Sequence, residues 1–252
     1  MHLNEKLINT ERVEFQSENQ RIVGVLHFPV HKEASRKSVV ITCHGLDSSK
    51  DSQKYLQIAD LLSSKGFAAL RFDFRGSGES EGRGNLLSKR IADLEAAKEF
   101  AYARGYRSIG LIGSSYGGAT AILVASQTPD IKSIVTWSTP CKLIELFDNL
   151  DSQGVKGQSG ESQRLEKSVR SQFKEDLSKY DVAEAARRIT KILVIHCRGD
   201  SVVPWDQAKL IFDNAREPKL LKIFEGGDHP LIDPYIRKEA LSMTVDWLIK
   251  YL

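Results

Sequence analysis

Ser115 stands in Gly113-Ser114-Ser115-Tyr116-Gly117-Gly118, between an apolar run that ends at Gly113 and the small-residue stretch Ala119-Thr120-Ala121-Ile122. A strand, a Gly-x-Ser-x-Gly turn and a helix in that order form the setting in which a serine hydroxyl projects clear of its own backbone as a nucleophile. Gly113 and Gly117 read as clearance, because a side chain at either would collide where strand and helix pass closest. Ser114 offers a second hydroxyl in the same loop, but of the two serines only Ser115 has glycine both two residues before and two after.

A serine hydroxyl is unreactive at neutral pH unless an imidazole takes its proton. Among the six histidines, His229 follows the last strand-like run in Glu225-Gly226-Gly227-Asp228-His229-Pro230, at the same sheet edge as Ser115. His2, His27 and His31 fall at the opposite edge or on a hairpin, and His196 lies inside a strand, where it reads as a packed core residue. The imidazole in turn needs a carboxylate, and Arg198-Gly199-Asp200-Ser201-Val202-Val203-Pro204 supplies Asp200 just after the penultimate strand. Asp228 is the rival, but as the sequence neighbour of His229 it is poorly placed to reach the far ring nitrogen. For the oxyanion of a tetrahedral intermediate, the backbone N–H groups of Leu46 and Tyr116 are expected, with Gly45 letting the chain turn toward the site. His44 reads as ordering that loop rather than binding metal, since no second ligand stands at useful spacing.

Eight strand-like runs must position these groups: Arg12 to Ser17, Arg21 to Phe28, Ser38 to Cys43, Phe67 to Phe74, Ser108 to Gly113, Ile131 to Trp137, Ile192 to Cys197 and Leu220 to Phe224. From the third onward they alternate with helical patterns at Ser52 to Ser64, Leu87 to Ala103, Tyr116 to Gln127, Trp205 to Asn214 and Pro234 to Tyr251. That alternation predicts a parallel sheet covered on both faces. The first two runs, joined by Glu18-Asn19-Gln20, predict an antiparallel hairpin at the sheet edge. Lys142 to Thr190 breaks the rhythm with charged residues, weak helical patterns and the Gly-rich run Gln153 to Gly160, and reads as an inserted cap within one domain spanning 1–252.

With 252 residues, 41% hydrophobic and 27% charged, the chain can bury a large core. Its formal charge of +3 is spread along the chain without a basic block, which argues against nucleic acid as a partner. Met1 to Phe15 has no apolar core of a secretory signal and no run approaches a membrane span, so a cytoplasmic protein that does not enter membranes is expected. Cys43, Cys141 and Cys197 lack metal or disulfide spacing and read as buried free thiols.

With these residues placed, the chain from about Arg12 onward resembles the α/β-hydrolase superfamily, and within it the small intracellular esterases typified by the cinnamoyl (feruloyl) esterases. Phe72-Asp73-Phe74-Arg75-Gly76-Ser77-Gly78-Glu79-Ser80-Glu81-Gly82 is similar to that group's loop after the fourth strand, and His44-Gly45-Leu46 to its oxyanion segment. The resemblance implies catalysis by Ser115, Asp200 and His229, an oxyanion hole at Leu46 and Tyr116, and an eight-stranded, mostly parallel sheet with a small cap at 142–190 after the sixth strand. It departs at Ser114 and Tyr116, where those esterases usually carry His and Gln, and the cap holds few aromatics, Phe147, Phe173 and Tyr180. The expected reaction is cleavage of small or aromatic acyl esters through an acyl-enzyme, without cofactor or metal. The same triad also fits a peptidase, a thioesterase or an acyltransferase, and the scaffold alone fits a non-catalytic binding protein.

Overall fold

Apolar strands of five to eight residues, each too short to bury itself, assemble here into one sheet. The computed structural model describes residues 9–30, 37–83, 85–152, 167–229 and 231–252; His2, His31, the Gly-rich run Gln153 to Gly160 and Pro230 lie outside them. Among the described residues the strands are β1 (Thr10–Ser17), β2 (Gln20–His27), β3 (Ser38–Cys43), β4 (Ala68–Phe72), β5 (Ser108–Ser114), β6 (Ile131–Trp137), β7 (Ile192–Cys197) and β8 (Lys219–Phe224). They lie in the order β1-β2-β4-β3-β5-β6-β7-β8. β1 pairs antiparallel with β2 and β2 with β4, whereas β4, β3, β5, β6, β7 and β8 run parallel. Glu18 (φ 46°) and Asn19 (φ 64°) form the two-residue hairpin turn, whose left-handed residues match the twist of the flanking strands.

The helices are α1 (Gln53–Ser64), α2 (Leu87–Ala103), α3 (Tyr116–Ala125), α4 (Leu143–Ser152), α5 (Lys167–Leu177), α6 (Val182–Ala186), α7 (Asp206–Asn214) and α8 (Pro234–Tyr251). β3, β4 and β7 are buried at every residue, as strands covered on both faces must be. Alternate residues serve opposite cores: Val40 packs with Ile58 and Leu62 of α1 and Leu248 of α8, while Val39 and Ile41 pack with Leu94 and Ala97 of α2 and Val124 of α3. Toward β6 and β7 the second face is completed by Val182 and Ala186 of α6 and Ala208 and Ile211 of α7. Asp233 starts α8 by accepting hydrogen bonds from the Tyr235 and Ile236 N–H groups, both 2.9 Å, with Pro234 in the first turn.

Two elements end two residues short of the sequence expectation. The fourth strand ends at Phe72 rather than Phe74, because the wholly buried Asp73 carboxylate draws the chain into a loop, accepting from Lys50 N (2.7 Å), Lys50 Nζ (2.9 Å) and Glu79 N (3.1 Å). The helix expected to reach Gln127 stops at Ala125. Between β6 and β7 the described residues hold α4, α5 and α6 and no strand.

The site-bearing ends of β3 and β5 pass the start of α3 at direct backbone contact. A Cβ on Gly117 would lie 2.1 Å from the Cys43 carbonyl oxygen and 2.4 Å from that of His44, and one on Gly113 would lie 2.5 Å from the Gly117 carbonyl oxygen. Because those neighbours are backbone, they have no rotamer by which to yield. Gly117→Ala is expected to destabilise the fold by at least about 1–3 kcal/mol in thermal unfolding. Gly226→Ala, whose Cβ would meet only Ile236 Cδ1 at 4.0 Å, is the neutral control.

Candidate active site

Ser115 joins β5 to α3 with φ 54° and ψ −127°, a conformation that costs an L-residue of order 1–3 kcal/mol. Backbone hydrogen bonds hold it there: its N–H donates to the Trp137 carbonyl of β6 (2.8 Å) and its carbonyl accepts from Gly118 N–H (2.9 Å). Trp137, wholly buried, is itself tied to α8 by its indole N–H, which donates to Thr244 Oγ1 (3.1 Å).

His229, in the loop between β8 and α8, lies with Nε2 2.9 Å from Ser115 Oγ and Nδ1 2.8 Å from Asp200 Oδ2. An ionised carboxylate only accepts, so the Nδ1 nitrogen carries the proton and Nε2 presents its lone pair to the serine hydroxyl. Asp200 Oδ1 accepts the N–H groups of Val202 (2.9 Å) and Val203 (2.8 Å), fixing the carboxylate plane. Asp228 does not take part in this row; its Oδ1 accepts from Ile232 N–H at 2.8 Å, a turn within its own loop.

His196, expected as a core residue, is indeed wholly buried, but its Nε2 lies 2.9 Å from the Val203 carbonyl and 3.2 Å from Asp200 Oδ2. Two imidazoles therefore face one carboxylate oxygen. Burial opposes the charge on Asp200, yet the hydrogen bonds from His196 and His229 outweigh it and hold the carboxyl well below the usual carboxylate range. The available signal was the position of His196 four residues before the acid.

Leu46 and Tyr116 lie on two converging segments. Tyr116 opens α3, where the N–H groups of the first turn have no partner within the helix. Gly45 lies against Ser115, for a Cβ there would be 3.2 Å from Ser115 Cβ. The buried His44 ring spans its own loop: Nδ1–H donates to the Gly45 carbonyl (2.8 Å) and Nε2 accepts from Phe74 N–H (3.0 Å). A carbonyl can only accept and an amide only donate, so the ring is neutral, and burial, reinforced by the Arg90 charge, pushes its pKa down to about 3. Those two bonds leave the imidazole no nitrogen for a metal.

Lys54 was not singled out by the sequence reading. Its Nζ donates to Ser114 Oγ at 2.8 Å, and the Tyr55 hydroxyl beside it donates to the Cys43 carbonyl at 3.1 Å, so α1 buttresses both β5 and β3 where they end. Burial pushes the ammonium down to about 8, against the pull of Asp228 and Asp200. A lysine at 54, in the same helical row as the buried Ile58 and Leu62, was the legible sign.

Comparison with known proteins agrees with this architecture. A family model described as serine aminopeptidase, S33, matches residues 34–156. The YfhR protein of Escherichia coli O157:H7 is 22% identical over 226 residues, covering 88% of this chain and 74% of its own. The crystal structure of an esterase domain from a Rhodothermus marinus protein superposes with a TM-score of 0.77 at 24% identity, covering 97% of this chain and 99% of that one. Est1E of Butyrivibrio proteoclasticus, solved with ferulic acid bound, also gives 0.77, at 16% identity over 94% of this chain and 99% of its own. In sheet order, in the strand-turn-helix that carries Ser115 and in these likenesses, the chain has the α/β-hydrolase fold.

Proposed function

We propose that this protein is a serine esterase that cleaves carboxylic esters through an acyl-enzyme. The observation that carries the reading is the hydrogen-bonded row Ser115 Oγ, His229 Nε2, His229 Nδ1 and Asp200 Oδ2, with contacts of 2.9 and 2.8 Å. In this reading Ser115 Oγ attacks the ester carbonyl as His229 takes its proton, and Asp200 stabilises the imidazolium. The N–H groups of Leu46 and Tyr116 receive the oxyanion. His229 passes the proton to the departing alcohol, then deprotonates a water that attacks the acyl-serine and releases the acid. No step requires a cofactor.

The choice of ester leans on the esterases among the structural likenesses. The family description favours a second reading, removal of an N-terminal residue from a peptide by the same triad. We assign 142–190 as a cap on a single domain, on the support that Phe173 of α5 has its ring centroid 6.0 Å from that of Tyr116. Among the described residues no helix is long and apolar enough to cross a membrane. Three buried, unpaired thiols support a reducing compartment such as the cytoplasm.

Ser115→Ala is expected to abolish p-nitrophenyl ester hydrolysis and labelling by a fluorophosphonate probe; undiminished turnover would remove the assignment. Faster cleavage of aminoacyl p-nitroanilides than of p-nitrophenyl esters by the wild type would favour the peptidase reading. Asp200→Asn should lower kcat by about 10⁴. Asp200 also links stability to pH. Its folded carboxyl titrates below the unfolded value of about 3.9, so its stabilisation is complete above that value and is lost as pH falls through the folded range. Urea unfolding from pH 6 downward should show the stability gap between wild type and Asp200→Asn closing below about pH 4.

A further inference from the structure

Arg90 is wholly buried on the apolar stripe of α2, in line with Leu87, Leu94 and Ala97. The buried carboxylate one turn away, Asp93, is occupied by Arg75, whose Nη2 and Nε approach Asp93 Oδ1 at 2.6 and 3.0 Å. Nε and Nη1 of Arg90 have no hydrogen-bond partner. What the guanidinium does touch is the loop and the turn beside Ser115. Nη2 donates a short hydrogen bond to the His44 carbonyl, and the guanidinium carbon lies 3.7 Å from the Phe74 ring centroid and 5.2 Å from that of Tyr116.

Stability does not account for this residue. Two open buried donors cost roughly 1–3 kcal/mol each, more than a methionine of similar length would incur in the same stripe. Geometry supplies a reason. A peptide unit is planar, so fixing a carbonyl fixes the N–H across it. Arg90 fixes the His44 carbonyl and hence the plane leading to Gly45. The His44 ring then fixes the Gly45 carbonyl, and with it the direction of the Leu46 N–H. The same guanidinium lies over the ring of Tyr116, the residue that follows Ser115 and opens α3.

We propose that Arg90 is a positioning residue for the oxyanion hole, acting through the His44 carbonyl and the Tyr116 ring to aim the Leu46 and Tyr116 N–H groups at one point beside Ser115. This deepens the hydrolase reading and rests on it. An arginine serving the fold would be missed in stability; one serving the hole is missed in the transition state, where the oxyanion forms.

The test compares wild type with Arg90→Met and Arg90→Lys. For Arg90→Met we expect kcat on p-nitrophenyl butyrate to fall by roughly 10² with KM within about twofold, as for loss of one oxyanion donor. Fluorophosphonate labelling of Ser115 should slow in parallel, since the phosphonyl oxygen enters the same hole, while the melting temperature holds or rises. Arg90→Lys should recover part of the rate, and amide exchange over 44–46 should quicken in both variants. A folded Arg90→Met enzyme with wild-type kcat and labelling, or one whose losses follow a lowered melting temperature with KM rising alongside, overturns the proposal. Should Arg90→Met not fold, Arg90→Lys decides: unchanged exchange over 44–46 and an unchanged labelling rate defeat the assignment. Wild type that fails to label defeats the hydrolase reading instead, and the exchange rate alone then judges whether Arg90 holds the loop.

Discussion

The arrangement rests on one close contact between backbones, where the start of α3 passes the carbonyls of Cys43 and His44 at the end of β3 with no room for a Cβ on Gly117. That approach brings two segments far apart in sequence to the two sides of Ser115. It also dictates the backbone of Ser115, whose left-handed conformation follows from the need to leave β5 and enter α3 within one residue. The strain is over-determined by hydrogen bonds to Trp137 and Gly118, so it persists as a fixed property of the turn.

Charge follows the same logic of fixed backbone. Asp200 is held at four contacts, two from main-chain N–H groups and two from imidazoles, before any substrate arrives. In the proposed reaction, preorganisation of this kind means that little must rearrange when an imidazolium develops. Around it burial lowers two further groups, His44 to about 3, which leaves that imidazole neutral, and Lys54 to about 8, at which the ammonium keeps its charge near neutral pH.

How far the sequence reveals this depends on the range of the interaction. Strands and helices follow local periodicity, and all eight strand-like runs correspond to strands, because alternation along a segment needs no knowledge of its neighbours. The positions of Ser115, Asp200 and His229 were legible because each follows a strand at one sheet edge, a relation that element order alone supplies. The premature end of β4 was not, since it depends on Lys50, 23 positions away, meeting Asp73. Arg90 and Lys54 were half legible. Arg90 interrupts the apolar stripe of α2 and Lys54 heads that of α1, which announces a charge beside the core without naming the carbonyl or hydroxyl it meets 46 or 60 positions away. The turn role of Asp228 and the core placement of His196 were readable locally, whereas the contact of His196 with Asp200 needed coordinates.

The manner in which Asp200 is enclosed has a consequence for solution conditions. At 0.15 M salt, mobile ions damp fields between exposed charges over about 8 Å, but they do not enter a pocket already filled by main-chain amides and imidazoles. The Asp200 side chain is wholly buried, unlike the ion pairs of the hairpin face, where Arg12, Glu14, Arg21 and Glu81 reach solvent. Ionic strength thus acts on the periphery and leaves the acid of the buried row untouched, giving the molecule a salt-responsive skin around a salt-indifferent centre.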